Sequence, residues 1–276
     1  MALCQLELFS WSLKTRTRVN VLVPSPQPSL VNLEPVTSKS IAKTSEFIER
    51  MGTDLPVLYL LHGTFGDEGD WERFSRIEDY ARNYKVIVVM PQGENSSYRD
   101  MPSGQNYATY ITKELPSMIE WMFPASKKRE KRFICGLSMG GSGAYKLGLG
   151  NPDLYGYVAS LSGGFQKQKN DVYPSEVTIW SHAYTPGESL KGNSEDYQWL
   201  ASKLEKKDRP ALYLACGEQD FLFEANQELH EYLHSIQYEH VYDTHAGIHN
   251  WDFWDDEIQK VLKWLPLQST KDFRDL

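Results

Sequence analysis

Gly136-Leu137-Ser138-Met139-Gly140 sets a serine between two glycines. A serine hydroxyl is a weak nucleophile until a base within hydrogen-bond reach takes its proton, and a third group usually orients that base. Gly247-Ile248-His249-Asn250-Trp251 offers a base, since neutral imidazole accepts a proton near neutral pH. Cys216-Gly217-Glu218-Gln219-Asp220 offers an orienting carboxylate. Asp220 and Glu218 compete for that role, and His245 is the main rival of His249. Such a set would perform covalent acyl transfer, and the oxyanion formed needs hydrogen-bond donors. Leu61-His62-Gly63-Thr64-Phe65-Gly66 is the glycine-bearing loop that could supply one, through the Thr64 N–H. The Met139 N–H, just after the serine, is the second candidate. His62 is read as ordering this loop rather than as a base.

These groups need elements to hold them. Val57 to Leu61, Val86 to Met90, Arg132 to Cys135, Tyr157 to Leu161 and Leu212 to Cys216 are apolar runs suited to strands buried on both faces. A further strand is expected at His240 to Thr244. Helical spacing marks Ala108 to Phe123, Ser142 to Leu149, Glu224 to Ile236 and Asn250 to Leu265. Pro116 falls inside the first of these and should kink it. Cys4 to Ser10 and Arg18 to Val23 read as antiparallel neighbours at a sheet edge. From position 24 to 54 the chain is polar and proline-marked. An irregular surface connection is expected there, with one helical turn near Phe47-Ile48.

Buried strands alternating with helices predict an α/β fold with a mostly parallel central sheet covered on both faces. Ligands of such sheets bind beyond the carboxyl ends of the strands, where each motif above falls. A strand, then G-x-S-x-G, then a helix, with the order Ser138, Asp220, His249 along the chain, matches the α/β-hydrolase pattern. One domain over 1–276 is expected, with a small cap insertion at about 164–205. That insertion carries Phe165, Tyr173, Trp180, Tyr184, Tyr197 and Trp199, whose rings could line an acyl pocket or simply pack. Phe65 and Trp180 are the candidate substrate-binding residues.

His230-Glu231-Tyr232-Leu233-His234 fits H-E-x-x-H, a zinc pattern when a helix turns both histidines to one side. It would make the chain a zinc hydrolase. No third ligand is evident, and Leu222, Ala225, Leu229, Leu233 and Ile236 supply the stripe a covering helix needs. A non-catalytic binding protein on the same fold is the other reading from a different class.

The formal net charge of −8 argues against nucleic acid or an anionic membrane as partner. No apolar stretch approaches the ~20 residues that span a bilayer. Cys4, Cys135 and Cys216 are three in number and cannot all pair, which fits reduced thiols in a cytoplasm. A small-molecule ester is the expected partner, no metal or cofactor is expected, and a homo-oligomer is compatible with the sequence.

Taken together, these motifs resemble the esterase D-type "putative esterase" family, and within it the bacterial tributyrin-esterase branch. The resemblance rests on Gly-Leu-Ser-Met-Gly-Gly at 136–141, on His62-Gly63-Thr64-Phe65-Gly66 with Trp71, on Cys216 to Asp220 and on Gly247 to Trp251. It covers about 55–265 and the two opening strands. It implies a serine carboxylesterase for short acyl esters, with Ser138, Asp220 and His249 as triad. Some relatives act on acetylated or feruloylated sugars and others on S-formylglutathione. The long 24–54 segment departs from the family, as does Asn250, where many relatives carry an acid.

Overall fold

In the computed structural model, residues 1–26, 38–165, 173, 178–179 and 181–270 are described, with the side chains of 38–43 excepted. An eight-stranded sheet runs through them in the order β1-β2-β4-β3-β5-β6-β7-β8. The strands are β1 (Ala2–Ser10), β2 (Thr15–Val23), β3 (Val57–Leu61), β4 (Ile87–Pro91), β5 (Arg132–Leu137), β6 (Tyr157–Leu161), β7 (Ala211–Gly217) and β8 (His240–His245). β1 and β2 form an antiparallel hairpin with Ala2 opposite Val23 and Ser10 opposite Thr15. β2 joins the sheet antiparallel to β4, and every later pairing is parallel.

The helices are α1 (Ser38–Met51), α2 (Asp70–Phe74), α3 (Ile77–Ala81), α4 (Tyr107–Thr109), α5 (Leu115–Met122), α6 (Met139–Gly150), α7 (Tyr197–Ser202), α8 (Phe223–Ser235) and α9 (Trp251–Trp264). Side chains alternate across a strand, and the core divides accordingly. Val57, Tyr59 and Leu61 of β3 join Leu115, Ile119, Tyr145, Leu149, Leu229 and Leu233 on one face. Leu58 and Leu60 join Trp71, Ile77, Trp254, Ile258 and Val261 on the other. α5, α6 and α8 thus cover one side, and α2, α3 and α9 the other. This is the expected α/β-hydrolase architecture. No helix among the described residues is long and apolar enough to cross a membrane.

Two local expectations need correction. The 24–54 stretch holds a 14-residue helix, α1, rather than a single turn near Phe47-Ile48. Its sparse apolar residues hid it: Met51 is buried and Phe47 packs on the core, while Ile48 faces solvent. Pro116 does not simply kink a regular helix. A π-helical segment, Tyr110–Glu114, separates α4 from α5, and Pro116 stands in the first turn of α5. The helical path is continuous from Tyr107 to Met122, so Pro116 is an interior residue that lacks an N–H for the ladder, and the wider π turn just before it is the local distortion. The short helices α2 and α3 carry too few residues to show a period.

Candidate active site

β5 ends at Leu137, and the chain reverses into α6 through Ser138, whose φ of 54° and ψ of −119° lie outside helical and extended space. A left-handed φ in a non-glycine residue costs of order 1–3 kcal/mol and persists where the surroundings impose it. The surroundings do so here. The Ser138 N–H donates to Leu161 O at 2.9 Å, and Ser138 O accepts from Ser142 at 3.1 Å and from Gly164 at 3.1 Å. The flanking glycines are steric requirements. A Cβ on Gly136 would lie 2.3 Å from Gly140 O, and one on Gly140 would lie 2.5 Å from His62 O and 2.6 Å from Leu61 O. The turn therefore sits directly on the end of β3, with the hydroxyl held above the sheet.

β7 and β8 bring the other two groups. Asp220 follows β7, and His249 stands in the loop between β8 and α9. The Ser138 hydroxyl lies 3.0 Å from His249 Nε2, to which it can donate, and His249 Nδ1–H donates to Asp220 Oδ2 at 2.8 Å. The second Asp220 oxygen accepts the Leu222 N–H at 2.9 Å. Burial alone would push the Asp220 carboxyl up. The bonds from His249, the Leu222 N–H and the Ser162 hydroxyl outweigh it and hold the group below the usual carboxylate range. The Asp220 side chain has no solvent exposure, and that of His249 has 18%. The indole of Trp254 stands edge-on to the imidazole at 4.9 Å.

The loop carrying His249 is stitched to the loop carrying Asp220. Glu218 N–H donates to His245 O at 3.0 Å, Gln219 N–H to Gly247 O at 2.9 Å, and Gly247 N–H to Gln219 Oε1 at 2.9 Å. α9 then starts with Asn250 as its cap, the side chain accepting from the Phe253 N–H at 3.2 Å. That cap gives the asparagine a local structural use.

The β3–α2 loop forms the third wall. Gly63 to Gly66 is a turn closed by a 3.2 Å bond from Gly66 N–H to Gly63 O, with Phe65 at φ 65°. A positive φ at the second central residue, with Thr64 first and outside the positive-φ region, is the sign pattern of a type II turn. The Phe65 N–H is taken by Asn95 Oδ1 at 2.8 Å. Met139 opens α6, where the first N–H groups have no partner within the helix. His62 lies beneath this loop, 1% exposed. Its Nδ1–H donates to Gly63 O at 2.7 Å, and its Nε2 accepts from the Gly93 N–H at 2.9 Å. Those partners specify the neutral ring, and burial pushes its pKa below the usual histidine value against Gly63 O and nearby Asp70, Asp67 and Glu68. Trp71 Nε1–H donates to Leu61 O at 3.1 Å, which accounts for a tryptophan at that spacing from His62.

The rivals are turned elsewhere. Glu218 is exposed. His245 Nε2 lies 2.8 Å from the buried Glu257 carboxylate. In the H-E-x-x-H stretch, His230 Nδ1 lies 2.9 Å from His240 Nε2 and its ring stacks on Tyr242. The rings of His230 and His234 are 6.5 Å apart. Asp243, His245 and Glu257 have ligand spacing among the described residues, but the Lys260 ammonium already lies 2.6 Å from Glu257 and 3.2 Å from Asp243. Trp180 lies outside the described residues, and Phe65 is 76% exposed. Sequence reasoning missed Asn95, Ser162 and Gln219. Only the position of Ser162 and Gln219 at the carboxyl ends of β6 and β7 marked them out.

Residues 45–265 match the family described as "Putative esterase". The chain belongs to that family. A relative 33% identical over 276 residues, covering 96% of this chain and 98% of its own, is an acetyl esterase of Caldicellulosiruptor saccharolyticus. Among solved structures, the substrate-bound fluorophosphonate-binding serine hydrolase F of Staphylococcus aureus superposes with a TM-score of 0.80 at 30% identity, covering 96% of this chain and 98% of its own. An S-formylglutathione hydrolase of Staphylococcus aureus superposes at 0.77, also 30% identical, with the same coverage of both chains. A ferulic acid esterase, at 22% identity and 0.75, shares the fold. As a member of the putative esterase family with an α/β-hydrolase fold, the protein is a carboxylic ester hydrolase.

Proposed function

We propose that the protein is a serine carboxylesterase for short-chain acyl esters, with Ser138 as nucleophile, His249 as general base and Asp220 as the group that orients it. The observation that carries this is the continuous chain from Asp220 Oδ2 through both nitrogens of His249 to Ser138 Oγ, at 2.8 and 3.0 Å. Ser138 attacks the ester carbonyl as His249 takes its proton, and Asp220 stabilises the imidazolium. The backbone N–H groups of Thr64 and Met139 receive the oxyanion; Phe65 cannot compete with Thr64 because Asn95 occupies its N–H. His249 then gives the proton to the leaving oxygen, and water activated by the same base releases the acid. No step requires a metal or an organic cofactor.

A short acyl group is supported by the names of the acetyl esterase and S-formylglutathione hydrolase relatives, and tributyrin fits the same range. The position of Phe65 beside Thr64 supports reading it as substrate-binding, and for Trp180, outside the described residues, that reading rests on the sequence alone. We read the chain as one domain over 1–276, with a small cap insertion at about 164–205. That segment docks on α6 through the buried Lys146–Glu195 ion pair at 2.8 Å and the ring of Phe165 against Tyr145. Three free thiols support a cytoplasmic setting.

The test is hydrolysis of p-nitrophenyl esters from acetate to octanoate by the wild type and by Ser138→Ala, with and without EDTA. Turnover greatest for acetate and butyrate, indifferent to EDTA and lost in the variant, is the expected result. Activity that outlives Ser138 and dies with EDTA would transfer the chemistry to a metal site such as His230 and His234.

A further inference from the structure

Each loop that brings a group to Ser138 also carries an exposed apolar side chain. Phe65 follows Thr64 and is 76% exposed, Phe221 follows Asp220 and is 73% exposed, and Ile248 precedes His249 and is 54% exposed. Single exposed apolar residues are ordinary features of a surface. Phe221 and Ile248 differ because they flank the hydrogen-bonded Asp220–His249 pair itself, on backbones that are pinned. Around Phe221, Asp220 Oδ1 takes the Leu222 N–H at 2.9 Å, and Asp220 O takes the Phe223 N–H at 3.0 Å. Around Ile248, Gly247 is held by both the side chain and the backbone of Gln219, and the Asn250 N–H donates to Ile248 O at 2.8 Å. The Phe221 ring lies against the imidazole of His249, with ring centroids 4.6 Å apart and planes tilted by 51°.

We propose that Phe221 and Ile248 form a platform for the alcohol side of the ester, so that the protein favours esters whose alcohol carries a flat apolar face. The proposal rests on the serine-esterase reading above. In that chemistry His249 Nε2 delivers its proton to the leaving oxygen, which must come within hydrogen-bond reach of that nitrogen. The first carbons of the alcohol then lie beside the imidazole, where the Phe221 ring already stands. A charged alcohol would give up hydration against these two side chains and gain no partner from them. An apolar one removes their exposed surface from water, and the rigid loops spare it the cost of ordering the platform. The acyl group leaves the reacting carbon in a different direction, so its length is read by other residues.

The experiment compares two esters of one acid, 2-naphthyl acetate and methyl acetate, as the ratio of their kcat/KM values. Phe221→Ala should lower the ratio about tenfold, the scale on which an apolar pocket contact discriminates. Ile248→Ala should lower it less, and Phe221→Leu should restore part of it and guards against a folding defect in the alanine variant. Trp121→Ala removes a still more exposed ring, 84% accessible on α5, and should keep the wild-type ratio. A ratio unchanged in Phe221→Ala, in a wild type that hydrolyses both esters and a Ser138→Ala variant that hydrolyses neither, overturns the platform alone. A wild type inactive on both esters overturns the serine-esterase reading and the platform with it.

Discussion

Replacing Asp220 by asparagine tests the orienting role at constant shape. Besides the Ser162 hydroxyl, the carboxylate accepts His249 Nδ1–H on one oxygen at 2.8 Å and the Leu222 N–H on the other at 2.9 Å. Asparagine brings one acceptor oxygen and one NH2 group. If the oxygen stays on Leu222, the NH2 group faces His249 Nδ1 and donates to it. The imidazole proton then moves to Nε2, where it faces Ser138 and the base is lost. If the amide flips, His249 keeps its tautomer, but the NH2 group meets the buried Leu222 N–H and leaves it unsatisfied, at about 1–3 kcal/mol. A cost of about 2 kcal/mol is roughly thirtyfold in rate, before the loss of the charge that stabilises the imidazolium. The wrong tautomer in a serine triad costs about 10⁴ in kcat. Asp220→Asn should therefore lose about 10³–10⁴ in kcat on p-nitrophenyl acetate, with KM little changed and a cooperative thermal transition retained. Glu218→Gln, in the same loop but exposed, should stay within about twofold, as surface changes do. An Asp220→Asn enzyme within tenfold of wild type would refute the orienting role. Loss of activity in Glu218→Gln instead would move it to the neighbouring acid.

The oxyanion donors can be probed through the backbone. Thr64 occupies the first central position of a type II turn, where proline fits, so Thr64→Pro removes the N–H with little change of path. It should lower kcat by about 10²–10³, whereas Thr64→Ala, which keeps the N–H, should be near wild type in steady-state assays. His62 predicts a pH effect on stability. Burial lowers its folded pKa below the unfolded value near 6.5, so the unfolded chain binds the proton first as pH falls. Its contribution is complete above about pH 6.5 and is lost below it, towards the folded pKa. Urea midpoints should fall between pH 7.5 and 5.5, and His62→Gln should be less stable but show a flatter dependence; an equal slope in both would exclude His62 as the source.

Much of this was legible in the amino-acid order. The five buried strands declared themselves because a strand covered on both faces must be apolar at every position, as Val57 to Leu61 and Ile87 to Met90 are. Ser138 was legible for a steric reason: only glycine fits at 136 and 140 when the turn rests on β3, so the need for close approach is written into the composition. α1 was not legible, because its few apolar contacts leave a polar sequence. The π segment ahead of Pro116 was not legible either, since one extra residue in a helical turn changes no residue type.

Sequence alone determined the family, the fold class and a short set of candidates, because local sterics and burial act on neighbours in the chain. The residue types alone left Glu218 competing with Asp220 and His245 with His249, and only the family resemblance favoured Asp220 and His249. Those pairs differ by two and four positions and offer the same functional groups. Tertiary structure separated them by direction: Asp220 turns into a buried site against His249, and Glu218 turns to solvent. His245 is drawn off by Glu257, twelve residues further along and on the facing side of α9. Hydrogen bonds depend on distances of tenths of an ångström between groups up to 111 residues apart, and only the packed sheet sets those distances.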